Sequence, residues 1–230
     1  MFKPNYDSYY KKYANQSLDW LEMDVKNLYE KNIKENYQLL KLNNWIDKSF
    51  TYKFNSHGFR CNEFSDDPTI MFLGASSTVG VGLPIDYIWP EVISKNLNMR
   101  CANLAIGGSS CDTAFRLCHG WIDIIKPHLV IFFGPPSGRL ELVNADTITN
   151  LNLAWPDTNK DFLKKWGIDD NNIYFNEIKN RLAIENLCLS RNIKFHFVNF
   201  GIDKIDLARD LMHSGINSNQ KFAEKILARI

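Results

Sequence analysis

The sequence predicts an α/β protein, a parallel sheet with helices on both faces, preceded by an N-terminal helical extension over residues 1–51. Three observations predict it. Short apolar runs at Thr69–Leu73, Cys101–Ile106 and Leu129–Phe133 are each stopped by glycine, at Gly74, Gly107-Gly108 and Gly134. Stretches with apolar residues at helical spacing separate these runs. A long helical stretch then leads into an alternating run, Ile193–Phe200. Strands that alternate with helices pair in parallel, because each crossover helix carries the chain back to the same edge.

Composition narrows the functional classes. With 27 Lys and Arg against 26 Asp and Glu among 230 residues, the net charge of +1 gives no field that gathers nucleic acid or an anionic membrane. The apolar share of 45% supplies a real core, enough for one domain with an extension, here 52–230 preceded by 1–51. None of the five cysteines forms a Cys-x-x-Cys pair, which argues against zinc and for reduced thiols. The five histidines lack ligand-like spacing as well. Met1–Tyr6 contains no apolar signal core, and no apolar run approaches the ~18 residues of a membrane span. The expectation is a soluble protein, cytoplasmic or otherwise without a signal peptide.

The elements follow in order. Leu18, Leu21, Val25 and Leu28 recur at three and four residues and predict one amphipathic helix; Leu39, Leu40, Leu42 and Trp45 predict a second. Residues 51–67 read as an extended segment and linker, with His57 a solvated turn residue before Gly58. Thr69–Leu73 is the first buried strand. After a loop with Gly80, Gly82 and Pro84, a helix is expected from about Ile88 to Asn98. Cys101–Ile106 is the second strand. Ser110 or Asp112 caps the next helix, which carries Phe115, Leu117, Cys118, Trp121, Ile122 and Ile125 and sets Cys111 and Cys118 on one face. Leu129–Phe133 is the third strand. Residues 140–170, with Trp155 and Trp166, read as loop, and Tyr174–Arg191 as a long helix. The last helix holds Phe222, Ala223, Ile226 and Leu227.

Two places carry chemistry. Ser76, Ser77 and Thr78 lie just past the first strand, at the end of a parallel sheet where ligands bind. Serines there are also ordinary helix caps. Near the C-terminus, Asp210 and His213 are three apart, a spacing that puts both on one side of a turn. A hydroxyl nucleophile needs a base for its proton, and the base needs a group to fix its tautomer. Ser76, His213 and Asp210 supply those types, with Ser77 the alternative nucleophile.

The ordered set resembles the SGNH (GDSL-like) hydrolase family over roughly residues 52–229. Gly74-Ala75-Ser76-Ser77-Thr78 is similar to the family's Gly-Asp-Ser-x-Thr, and Asn103-Leu104-Ala105-Ile106-Gly107-Gly108 to its Asn-Leu-Gly-x-x-Gly stretch. Asp210–Gly215 looks like its Asp-x-x-His, and Asn55–Arg60 like a segment that precedes the nucleophile in such proteins. The resemblance implies a flavodoxin-like three-layer sandwich and ester hydrolysis through an acyl-enzyme. Ser76 would attack, His213 would act as base and then acid, and Asp210 would orient it. The backbone N–H groups of Ser76 and Gly108 would form the oxyanion hole. No cofactor is implied.

Two positions depart from the family pattern. Ala75 replaces its Asp, and Pro136 falls where an oxyanion-binding Asn stands, with neither an amide side chain nor an N–H. Ser137 and Arg139 are the nearby candidates for substrate binding. The substrate expected is a small-molecule or glycan acyl ester, and neither the acyl group, the alcohol nor the oligomeric state is written in a readable motif. A catalytically inactive relative that binds a glycan or partner through the same cleft is the alternative. A phosphate or nucleotide binder at Gly74–Gly82 is a third, although the loop lacks a P-loop's Gly-Lys-Ser/Thr ending.

Overall fold

The computed structural model describes residues 5–143, 147–153, 166 and 170–230. The N-terminal segment holds a 3-10 turn at Lys11–Tyr13, strand β1 (Ser17–Leu18), helices α1 (Lys26–Glu35) and α2 (Tyr37–Leu42), and β2 (Tyr52–Lys53), which pairs antiparallel with β1. The main unit follows as β3 (Thr69–Leu73), α3 (Ser76–Val79), α4 (Trp89–Asn96), β4 (Arg100–Asn103), α5 (Cys111–Ile125) and β5 (Leu129–Phe133). A hairpin of β6 (Arg139–Val143) and β7 (Ile148–Asn152) comes next, then α6 (Asp170–Leu189), β8 (Lys194–Val198) and α7 (Ile216–Leu227).

Among the described residues, four strands form the central sheet in the order β4-β3-β5-β8, all parallel. The central strands β3 and β5 are buried on both faces, the edge strands β4 and β8 only in part, and the central side chains alternate between two cores. Met71, Leu73, Val130 and Phe132 pack with Leu117, Cys118, Trp121 and Ile122 of α5 and with Ile184 and Cys188 of α6. Ile70, Phe72, Leu129 and Ile131 face the other way, onto Trp89, Val92 and Ile93 of α4 and Phe222, Ala223 and Ile226 of α7. The result is a three-layer α/β/α sandwich. Trp89 and Phe222 meet edge to face at 5.5 Å, and burying a large apolar side chain contributes about 1.5–3 kcal/mol.

This topology fixes where a ligand goes. The helix after β3 lies on one face and the helix after its neighbour β5 on the other, so the chain diverges between their carboxyl ends. That crevice is the switch point at which open α/β sheets bind ligands.

Local chemistry explains the starts and stops. Ser110 caps α5: its hydroxyl accepts from the Thr113 N–H at 3.4 Å, while the Thr113 hydroxyl accepts from the Ser110 N–H at 3.3 Å. The predicted extents of α4 and α6 hold to within a few residues.

Three expectations fail. Residues 18–28 are not one helix. Leu18 ends β1, Leu21 and Asp24 close a tight turn, and α1 begins only at Lys26. Asp24 is drawn into a buried ion pair, and a helix through it would carry the carboxylate away from its partner. Residues 140–170 are not all loop, because Arg139–Val143 and Ile148–Asn152 pair antiparallel as β6 and β7; Trp155 lies outside the described residues. His57 lies in a turn as expected, but half-buried and not solvated. Its ring stacks on Phe64 at 5.4 Å and meets the edge of Trp121 at 4.8 Å.

The N-terminal segment packs into the molecule. Tyr10 and Leu21 join the core beneath α5, and Leu40 and Trp45 pack with Leu83, Ile88 and Ala208. The Trp45 indole N–H donates to the Leu207 carbonyl at 2.7 Å, and the Asn43 amide oxygen accepts from the Leu207 N–H at 2.7 Å. Among the described residues, no helix is long and apolar enough to cross a membrane.

Candidate active site

The site begins where β3 ends. Gly74 turns the chain, Ala75 remains extended, and Ser76 opens the single turn of α3, which Gly80 closes at a φ of +79°. A side chain on Gly74 would collide with the Thr78 hydroxyl, 2.1 Å from an added Cβ, so the turn accepts only glycine here. Ser76 is thereby held at the carboxyl end of a central, fully buried strand.

The loop after β4 is tied to the same strand end. The Gly74 carbonyl accepts from the Ile106 N–H at 3.3 Å and from the Ser109 hydroxyl at 3.1 Å. Asn103 reaches across to donate to the Thr78 carbonyl at 2.8 Å. These bonds set Gly107 and Gly108 beside the start of α3. Gly108 adopts a φ of +67°, a conformation that favours glycine.

The C-terminal loop supplies two further side chains. Residues 207–214 fold back as a narrow hairpin: Ala208 N–H donates to the His213 carbonyl and Leu211 N–H to the Ala208 carbonyl, both at 2.9 Å. Leu211 takes a φ of +57°, a left-handed conformation costly for a branched residue. That turn points the Met212 and His213 N–H groups at Asp210 Oδ1, which accepts them at 2.9 and 3.0 Å.

Asp210, His213 and Ser76 are in register. Asp210 Oδ2 lies 2.5 Å from His213 Nδ1, and His213 Nε2 lies 2.9 Å from Ser76 Oγ. The Asp210 side chain is fully buried and that of His213 is 17% exposed, so one end of the relay is dry and the other meets the cleft. Burial alone would raise the Asp210 carboxyl. The hydrogen bond and charge of His213 and the two backbone N–H groups outweigh it and hold the group below the usual carboxylate range. A charged Asp210 keeps the proton on Nδ1, which leaves Nε2 free to accept from the Ser76 hydroxyl. It is the Ser76 hydroxyl, and not that of Ser77, that the structure hydrogen-bonds to His213.

The other candidate positions separate. Arg139 reaches the neighbourhood: its guanidinium donates to the Ser109 carbonyl at 3.3 Å, and burial pushes it down while the charge of Glu22 pulls it back up. It does not pair with Glu141, whose carboxylate takes a buried fork from Arg116 at 2.7 and 2.9 Å. Ser137 and Pro136 are exposed on the loop after β5, beside the buried Gly138. Among the described residues, no group of three or more His, Cys, Asp or Glu is arranged to hold a metal ion.

Sequence reasoning missed two groups. Glu22 of the N-terminal segment places its carboxyl against Gly107, and Arg209 anchors the Asp210 loop through Asp24. Neither carries a local signature; both depend on contacts between residues far apart in the chain.

No family model matches the chain, and no curated protein matches it. Solved structures do. A protein of the G-D-S-L family from Desulfitobacterium hafniense is 13% identical, covering 70% of this chain and 99% of its own, with a TM-score of 0.38. The psychrotrophic esterase EstA from a Pseudoalteromonas species is 16% identical over 70% of this chain and 75% of its own, with a TM-score of 0.37. AlinE4, an SGNH-hydrolase family esterase, is 16% identical over 72% of this chain and 73% of its own, with a TM-score of 0.38. The solved structures similar to this chain thus include hydrolases of the G-D-S-L and SGNH kind.

Proposed function

We propose that this chain is a serine hydrolase of the SGNH kind, cleaving a small acyl ester, an O-acetyl ester of a small molecule or glycan among them. The observation that carries the reading is the continuous Asp210–His213–Ser76 hydrogen-bond chain at 2.5 and 2.9 Å, located at the switch point of the sheet. An exposed Asp-His pair made for stability alone would have no reason to end on a strand-end hydroxyl.

The chemistry follows from those atoms. Ser76 Oγ attacks the acyl carbon as His213 Nε2 takes its proton, and Asp210 stabilises the imidazolium that forms. The backbone N–H groups of Ser76 and Gly108 donate to the oxyanion. His213 returns the proton to the departing alcohol. Water then attacks the acyl-enzyme by the same route and restores the free serine. In this reading residues 52–230 carry the hydrolase unit, and 1–51 are an extension packed against its cleft.

Hydrolysis of p-nitrophenyl acetate by the wild type and Ser76→Ala tests it. The expected result is turnover by the wild type and a loss of at least about 10³-fold in the variant. Binding of glycan with no turnover by the wild type would support the inactive relative instead, a reading favoured by Pro136, which offers no N–H on the loop after β5.

A further inference from the structure

Glu22 occupies a position that its sequence context does not explain. It sits in the two-residue turn between Leu21 and Asp24, whose backbones exchange hydrogen bonds of 2.9 and 3.0 Å. Its φ of +55° lies in the left-handed region, which a glutamate enters only where its surroundings impose it. They do so from both sides. Leu21 is buried in the core beneath α5, and Asp24 is held by Arg209 and Tyr52. The strained turn therefore delivers the Glu22 side chain to a fixed place.

That place is against Gly107, in the loop after β4. A Cβ built on Gly107 would lie 1.8 Å from each Glu22 carboxyl oxygen, so the carboxyl fills the space that a side chain at 107 would take. Gly108, the next residue, supplies one of the two backbone donors assigned above to the oxyanion. The charged groups facing Glu22 come from three other elements: His213 of the C-terminal loop, Arg139 at the start of β6, and Arg60 of the segment before β3. Tyr10 completes the surround, its hydroxyl accepting from the Gly107 N–H at 2.8 Å. Desolvation of this half-buried carboxyl outweighs the opposing pull of His213, the Gly107 amide, Arg139 and Arg60, and leaves the Glu22 carboxyl raised to about 7.

The two protonation states do opposite things in such a place. A carboxylate beside a developing oxyanion repels it. A neutral carboxylic acid has an O–H to donate, and a buried acid kept neutral for that purpose is a known catalytic device. We propose that Glu22 is a further catalytic residue, its protonated carboxyl donating a hydrogen bond to the oxyanion formed at Ser76, so that its ionisation switches the site off. No proton is transferred in this step; the donor O–H stays on Glu22 while the oxyanion forms and collapses. The proposal rests on the ester-hydrolase reading.

The test is kcat/KM for p-nitrophenyl acetate from pH 6 to 8.5 in the wild type, Glu22→Gln and Glu22→Ala. It is run alongside fluorophosphonate labelling of Ser76 and circular dichroism to establish folding. The wild-type rate is expected to fall about tenfold per pH unit above pH ~7. The amide of Glu22→Gln donates without ionising, so that variant is slower than wild type at pH 6, shows no such fall, and overtakes wild type by pH 8.5. Glu22→Ala, having no donor, is expected to lose about 10²–10³-fold at pH 6. A Glu22→Gln profile that keeps the wild-type fall, or a Glu22→Ala rate equal to wild type at pH 6, overturns the proposal. If Ser76 labels while Glu22→Ala matches wild type, the role of Glu22 alone is wrong. If wild type neither turns over nor labels, the hydrolase reading falls and takes this one with it.

Discussion

Asp24 and Arg209, 185 residues apart, close a buried ion pair at 2.6 Å, with the two side chains 1% and 3% exposed. The guanidinium is further held by the Asp19 carbonyl at 2.7 Å and lies between the rings of Trp20 and Phe50, at 4.1 and 4.0 Å. Tyr52 donates its hydroxyl to the same carboxylate. Arg209 is the neighbour of Asp210, and Asp24 lies two residues from Glu22. One ion pair thus fixes both the hairpin that carries Asp210 and His213 and the turn that carries Glu22.

Removing one partner of this pair strands the other. Asp24→Ala is expected to cost about 3–5 kcal/mol, because it leaves the Arg209 charge buried without its counterion. Urea denaturation measures the loss. A cost below about 1 kcal/mol would mean that the pair is far better solvated than its burial indicates.

Asp210→Asn tests the orientation of His213. The amide preserves the shape but no longer favours the proton on Nδ1, so kcat for an ester is expected to fall by roughly 10⁴ while the fold persists. Stability carries a second signature. Asp210 lies below its unfolded value when folded, so its contribution is present above the unfolded pKa and lost as pH falls through the folded one. Wild type should therefore lose more stability than Asp210→Asn on acidification below about pH 4.

Glu22 has the opposite sign. Its folded value of about 7 stands above the ordinary 4.5, so the native state binds the proton more tightly than the unfolded chain. Its contribution is complete below the unfolded value and lost as pH rises through about 7. Between pH 5 and 8 wild type should lose up to roughly 3 kcal/mol relative to Glu22→Gln, less to the extent that water reaches the carboxyl. Parallel thermal-melting curves for the two proteins would show that the carboxyl is not desolvated. This measurement needs no substrate.

How much of this was legible in the sequence depends on how local the signal is. The strands Thr69–Leu73 and Leu129–Phe133 were readable because a buried parallel strand is a continuous apolar run, and glycine marks its end. The Asp210–His213 spacing was readable for a similar reason, since the whole turn is encoded within four residues. The β6–β7 hairpin was not, because its strands are only partly buried and lack clean alternation. The N-terminal segment misled through periodicity. Leu18, Leu21, Val25 and Leu28 fit a helical stripe, yet Val25 is 40% exposed and the chain turns sharply at Glu22, a geometry imposed by Arg209 from the far end. Glu22 was invisible for a similar reason: a single glutamate among Leu21, Met23 and Val25 acquires its role only when Gly107 comes to face it.

Labelling with a serine-directed fluorophosphonate tests the central claim most directly, comparing wild type with Ser76→Ala, Ser77→Ala and His213→Ala. The hydrogen bond of 2.9 Å from Ser76 to His213 leads us to expect labelling of wild type and Ser77→Ala, and its loss in Ser76→Ala and His213→Ala. A folded wild-type protein that never labels, or one whose labelling survives Ser76→Ala, would contradict the account.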